Sequence, residues 1–249
     1  MATSLTPSPV AATRSRRAVR LRRTRKQPVS AAVGLRVKTG WAVAVLIGGP
    51  TRAPRILDRR RIELSDPDEP DSRQPFHAGT GTARVDPAEV RRLVAGIGRR
   101  TRRSLSALLR GYDAAGFRPR AMLLVVGSLA DPLSISNPHI RAHAQEGYLY
   151  RTLLEQESRR LGIRTTAIRD RDLLPGVAAA LGISSARIRT ALRRMGKDVG
   201  SPWGANERAA ALAAWLALVS GRTRGSSPPG RSPAERGARS WPARPPRSR

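Results

Sequence analysis

The chain contains no cysteine, which excludes disulfides, thiolate metal centres and cysteine nucleophiles. Lysine is nearly missing as well: only Lys26, Lys38 and Lys197 stand among 47 basic residues, and the rest are arginine. Aromatic side chains make up 4% of the sequence, too few for a base-stacking platform, which argues against single-strand gripping as a primary role. No apolar run reaches the ~20 residues of a membrane span, and the most apolar stretch, Ala209 to Val219, falls well short. Acids are outnumbered too, with 18 against the 47 basic residues and a net charge of +29.

About half of that charge sits in two segments without apolar periodicity. Residues 1–30 carry eight Lys or Arg and no acid, and residues 221–249 carry eight Arg and one Glu. Their Pro, Ser, Gly and Arg content is that of disordered basic tails. The expected organisation is therefore a tail over 1–30, one folded domain over 31–220, and a second tail over 221–249. Arginine excess beside abundant Ala, Gly and Pro is also what a GC-rich coding sequence yields, so charge alone names no partner. The leader lacks the apolar stretch of a secretory signal, and the expectation is a cytoplasmic protein with no membrane association.

Within the domain, Val33 to Val37 and Trp41 to Ile47 read as two strands joined by a tight turn at Thr39-Gly40. Arg55 to Leu64 reads as an edge strand whose arginines reach water. Ser65 to Ala83 reads as a long loop with an acidic cluster, Asp66, Asp68, Glu69 and Asp71; such clusters are usually solvated, although they can recruit a cation. Asp86-Pro87-Ala88-Glu89 opens a long amphipathic helix with a cap, a first-turn proline and a capping-box glutamate. Ala121 to Val126 is an uninterrupted apolar strand, and Asn137-Pro138 starts a helix that stops at Gly162. Thr165 to Ile168 follows as a strand, giving a parallel β-α-β unit. Short helices over Leu173–Leu181 and Ser185–Met195 precede a buried Ala-rich helix from Glu207. The fold class is α/β: a mixed sheet of an antiparallel hairpin region and a parallel β-α-β, with flanking helices.

This order, with Val33-Gly34-Leu35 leading into the Gly40 turn and a helix running into Gly147, resembles the ribonuclease H-like fold. It is most similar to the RuvC-type Holliday-junction resolvase branch. Members that cut nucleic acid hold two Mg²⁺ ions with carboxylates in the first strand, at the end of the fourth and at the start of the last helix. The resemblance implies that these positions fall here on Arg36, on Gly127-Ser128 and near Glu207, which is preceded by Asn206. An arginine at a metal centre repels Mg²⁺ and receives phosphate well. The same hairpin opens sugar-kinase and actin-type folds, but their duplicated domain and acidic phosphate turn are missing.

Two functional expectations result, and the sequence leaves open whether any catalysis occurs. In the first, the domain lacks two-metal nuclease activity and binds nucleic acid or another phosphate-bearing ligand. Arg36, Lys38, Ser128 and Asn137 are its candidate binding residues, and the helix and tail arginines would add salt-sensitive affinity. In the second, a divalent metal assists hydrolysis. His139, His143 and Glu146 recur at i, i+4 and i+7 on one helix face and are acceptable zinc-type ligands. Asp131 lies in the preceding strand-end loop, where α/β proteins bind ligands. His77 and Glu63 would complete the shell or act as base and orienter if the chain folds them over the same end. Glu207 is the remaining catalytic candidate.

Overall fold

Gly40, at φ 85°, turns β1 (Ala31–Lys38) back into β2 (Trp41–Gly48), which pairs with it antiparallel from Lys38↔Trp41 to Ala31↔Gly48. A left-handed backbone at this point is cheap only for glycine, and the Gly40 carbonyl also accepts the Leu64 and Ser65 amides at 2.8 and 3.1 Å. The computed structural model describes residues 31–78 and 82–223. The reading of residues 1–30 as a tail, and nearly all of that for 221–249, falls outside the described residues.

β3 (Arg55–Glu63) pairs antiparallel with β2 and forms one edge of the sheet. The segment after it is not the plain loop expected from sequence. It contains a 3-10 turn at Pro70–Arg73 and a two-stranded hairpin, β4 (His77–Ala78) with β5 (Thr82–Ala83). The helix α1 (Pro87–Ala114) then carries the chain to β6 (Ala121–Val126), parallel to β1. From there α2 (Pro138–Arg160) crosses to β7 (Arg164–Arg169), parallel to β6. Three helices close the domain: α3 (Asp170–Leu181), α4 (Ser185–Val199) and α5 (Ala205–Thr223). α3 begins three residues before the apolar run that marked it in sequence, and α5 continues past residue 220.

The main sheet has the order β3-β2-β1-β6-β7, and only β2 runs against the other four. Alternate residues of β1 face opposite layers. Val33, Leu35 and Val37 join Ile97, Leu105, Tyr112, Tyr150 and Leu154 of α1 and α2. On the other face Ala32, Val45, Leu123 and Val125 join Trp215 and the alanines of α5.

α5 lies against β1 with almost no gap: a Cβ on Gly34 would meet the Ala210 carbonyl oxygen at 1.9 Å and the Ala214 amide at 2.5 Å. That contact explains the run of alanines, since larger side chains would lift the helix off the strand. Trp215, next to that contact, donates its indole N–H to Thr51 O at 2.8 Å, just past the end of β2 that pairs with the start of β1. The N-terminus of α5 therefore lies toward the end of the sheet where β1 and β6 terminate. Among the described residues no helix is long and apolar enough to cross a membrane.

Candidate functional site

The carboxyl ends of β1 and β6 open into a cleft of about 430 Å³ bordered by Arg36, Lys38, Gly127, Ser128, His143 and Arg151. Strand ends of this kind are where open α/β sheets bind ligands. Arg36 points to the α5 side of the sheet, in register with Val43 and Val125. Its side chain is only 11% exposed, and its Nη2 donates to Asp170 Oδ2 at 2.8 Å at the start of α3. Its other terminal nitrogen, Nη1, is buried without a partner. An unsatisfied buried donor costs about 1–3 kcal/mol. Arg151 has a buried Nε in the same condition, and its guanidinium lies 5.1 Å from the centre of the Tyr148 ring. Among the described residues, Arg36, Lys38 and Arg151 are the charged side chains that line this cleft, and no carboxylate does.

A second arrangement forms where the β4–β5 hairpin folds against α2. Tyr150 holds the approach by donating its hydroxyl to the carbonyls of Ser72 and Arg73, at 3.2 and 2.9 Å. His77, buried at 5% exposure, then sets its Nδ1 2.7 Å from Glu146 Oε1. Glu146 also accepts from Gln74 and from the Phe76 backbone. Burial pushes its carboxyl above the ordinary glutamate value, and the His77 contact works against that rise. His139 and His143 complete the group with their Nε2 atoms 3.2 Å apart. The ring centroids of His77 lie 5.2 Å from His139 and 4.2 Å from His143. Desolvation, then repulsion from the other two imidazoles, holds His143 below the usual histidine range. Among the described residues, His77, His139 and His143 are the one group of three side chains able to offer a metal clustered ligand atoms.

The remaining candidates from sequence have local partners. Asp131 caps the 3-10 turn at Pro132–Ser134 by accepting Leu133 N at 3.0 Å. Ser128 borders the cleft, but its hydroxyl accepts Ala130 N at 3.0 Å. Asn137 caps α2 by accepting Ile140 N at 3.0 Å. Glu207 accepts Gly204 N at 2.8 Å at the head of α5. Glu63 pairs with Arg61 at 2.6 Å on the edge strand, and the carboxylate beside His77 is that of Glu146. Glu146 lies between the two segments, with Oε1 on His77 Nδ1 at 2.7 Å and Oε2 3.9 Å from His143 Nδ1.

Sequence reasoning did not pick out Arg151 or Asp170. His143, Gly147 and Arg151 all border the cleft at a four-residue spacing on α2, so helical periodicity was an available signal for Arg151. The Asp170 pairing depends on how β7 ends and has no local signal.

A five-stranded sheet of order 3-2-1-4-5 whose second strand alone runs antiparallel is the ribonuclease H-like arrangement, and this domain has it. No protein-family model matches the chain, and no curated protein does either. Among solved structures it is similar to Thermus thermophilus RuvC in complex with a Holliday junction substrate, at 12% identity and a TM-score of 0.48, over 78% of this chain and 96% of that one. It is also similar to the yeast mitochondrial Holliday junction resolvase Ydc2, at 11% identity and a TM-score of 0.41, over 80% and 83%. An Aquifex aeolicus member of the Ppx/GppA family matches at 11% identity and a TM-score of 0.34, over 61% and 40%. At these identities and TM-scores the likenesses say nothing of what this chain binds or does.

Proposed function

We propose that this domain binds the phosphate backbone of nucleic acid in the strand-end cleft and does not run two-metal phosphodiester cleavage there. The observation that carries the reading is the composition of the cleft, with Arg36, Lys38 and Arg151 around it and no carboxylate among the described residues. Two Mg²⁺ ions need clustered oxygen ligands. A guanidinium about 5 Å from a divalent ion opposes it by several kcal/mol at an effective dielectric near 20. Lys38 and Arg151 are the donors offered to a phosphate oxygen, and the Arg36 guanidinium, held by Asp170 on the α5 side of the sheet with Nη1 buried, adds positive potential at the base of the cleft.

The test is fluorescence anisotropy of labelled duplex and four-way-junction DNA with the full chain, across a salt series. Lys38→Ala and Arg151→Ala should each weaken binding about 3–30-fold and lower the salt slope by about one. Affinity unchanged in both variants would place any DNA binding elsewhere, in the basic tails for instance. Mg²⁺-dependent cutting of the junction by the wild type would overturn the second half of the proposal. Displacement of bound DNA by millimolar mononucleotide would shift the reading to a small phosphate ligand.

A further inference from the structure

We propose that His77, His139 and His143 form a binding site for one borderline transition-metal ion of the zinc class, with Glu146 as the residue that orients His77. The whole chain has three histidines, and all three converge here from two distant segments, β4 and the first two turns of α2. Each offers one nitrogen, and the three nitrogens lie within 4.8 Å of one another.

The separation of His139 Nε2 from His143 Nε2, 3.2 Å, fits this assignment. Two nitrogens each 2.0–2.1 Å from a tetrahedral zinc lie about 3.3 Å apart. His77 supplies the second, independent sign. Its Nδ1 faces the Glu146 carboxyl at 2.7 Å, and in the tautomer with the proton on Nδ1, toward that carboxyl, Nε2 is a lone-pair donor. That Nε2 is buried and has no partner, in a residue 5% exposed. A carboxylate behind a ligating imidazole is the usual support that fixes ring orientation and raises ligand basicity.

Imidazoles without thiolates suit Zn²⁺, Co²⁺, Ni²⁺ and Cu²⁺ and discriminate against Mg²⁺ and Ca²⁺. Three protein ligands leave a fourth position for an exchangeable one, as in zinc sites that act on substrates. His143 borders both the histidine group and the cationic cleft, so the ion would sit at the cleft rim. The inference goes beyond the phosphate-binding reading and does not depend on it.

The test is titration of the full chain, prepared without a polyhistidine tag, with Zn²⁺ against a chromophoric chelator, and with Co²⁺ followed by visible absorption. One ion per chain, bound below about 1 µM and giving an intense tetrahedral Co²⁺ spectrum, is the expected result. His139→Ala and His143→Ala, both on the partly exposed side of the site, should weaken binding at least about 100-fold while leaving the circular dichroism unchanged. Glu146→Gln should weaken it about 10–100-fold. Less than about 0.2 ion per chain, or an affinity that both histidine variants leave unchanged, would overturn the proposal.

Discussion

Asp170→Asn separates the anion-receiving reading from a metal-centre reading by the sign of its effects. In the wild type the Arg36 side chain, 11% exposed, is held at 2.8 Å by a carboxylate that is 51% exposed. A charge-assisted hydrogen bond of this kind is worth about 1.5–3 kcal/mol when buried. Half-exposure of Asp170 screens the pair, so about 1–2 kcal/mol is the expected loss. For a domain of this size that corresponds to a melting temperature lower by about 2–8 °C. Phosphate affinity should move the other way. A unit negative charge removed about 6 Å from the bound anion relieves about 3 kcal/mol of repulsion at an effective dielectric of 20, before screening. The variant should therefore bind DNA at least about 3-fold more tightly at low salt. Differential scanning fluorimetry and anisotropy read the two effects. If Asp170 instead belonged to a cluster of acids awaiting Mg²⁺, its neutralisation would relieve like-charge repulsion and raise the melting temperature. A stabilised Asp170→Asn protein with weakened DNA binding would place Asp170 in an acidic metal cluster instead.

Two further predictions concern the frame that holds the cleft. Gly34→Ala places a Cβ 1.9 Å from the Ala210 carbonyl oxygen, a backbone collision that no rotamer relieves. It should cost at least about 2–3 kcal/mol, read as a fall in chemical-denaturation midpoint or as loss of soluble protein. Glu157 is buried, and its carboxyl is held below the usual glutamate range by Arg160, against the cost of desolvation and with help from Ser106 and Arg102. A depressed folded-state value means this stabilisation is complete above the unfolded glutamate value of about 4.3 and is lost as pH falls through the folded one. The stability gap between wild type and Glu157→Gln, followed by urea denaturation, should be constant near neutrality and narrow below about pH 4.

The parts of the fold legible in sequence are those whose signals are local. Gly40 between two β-rich runs, the unbroken apolar stretch at Ala121–Val126 and the Asn137-Pro138 helix start each carry their own punctuation. The segment from Ser65 to Ala83 carries none: β4 and β5 are two residues each, too short for any periodicity. The segment is shaped instead by long-range bonds from Tyr150 and Glu146. The histidine group was half legible for the same reason. The spacing of His139 and His143 on α2 can be read from sequence, but the arrival of His77 depends on a hairpin 69 residues before Glu146. Arg36 was legible as a cation at the end of the first strand, and its partner Asp170 was not.

In this reading arginine and lysine side chains, not a metal, hold the phosphate at the strand ends. It is tested most directly by the DNA affinity of the full chain in EDTA, with and without Arg36→Gln. Wild-type binding should survive chelation, and the variant, folded by circular dichroism, should lose at least about 10-fold in affinity. Wild-type binding that collapses in EDTA and returns with Mg²⁺, with Arg36→Gln indistinguishable from it, would mean that a metal holds the phosphate.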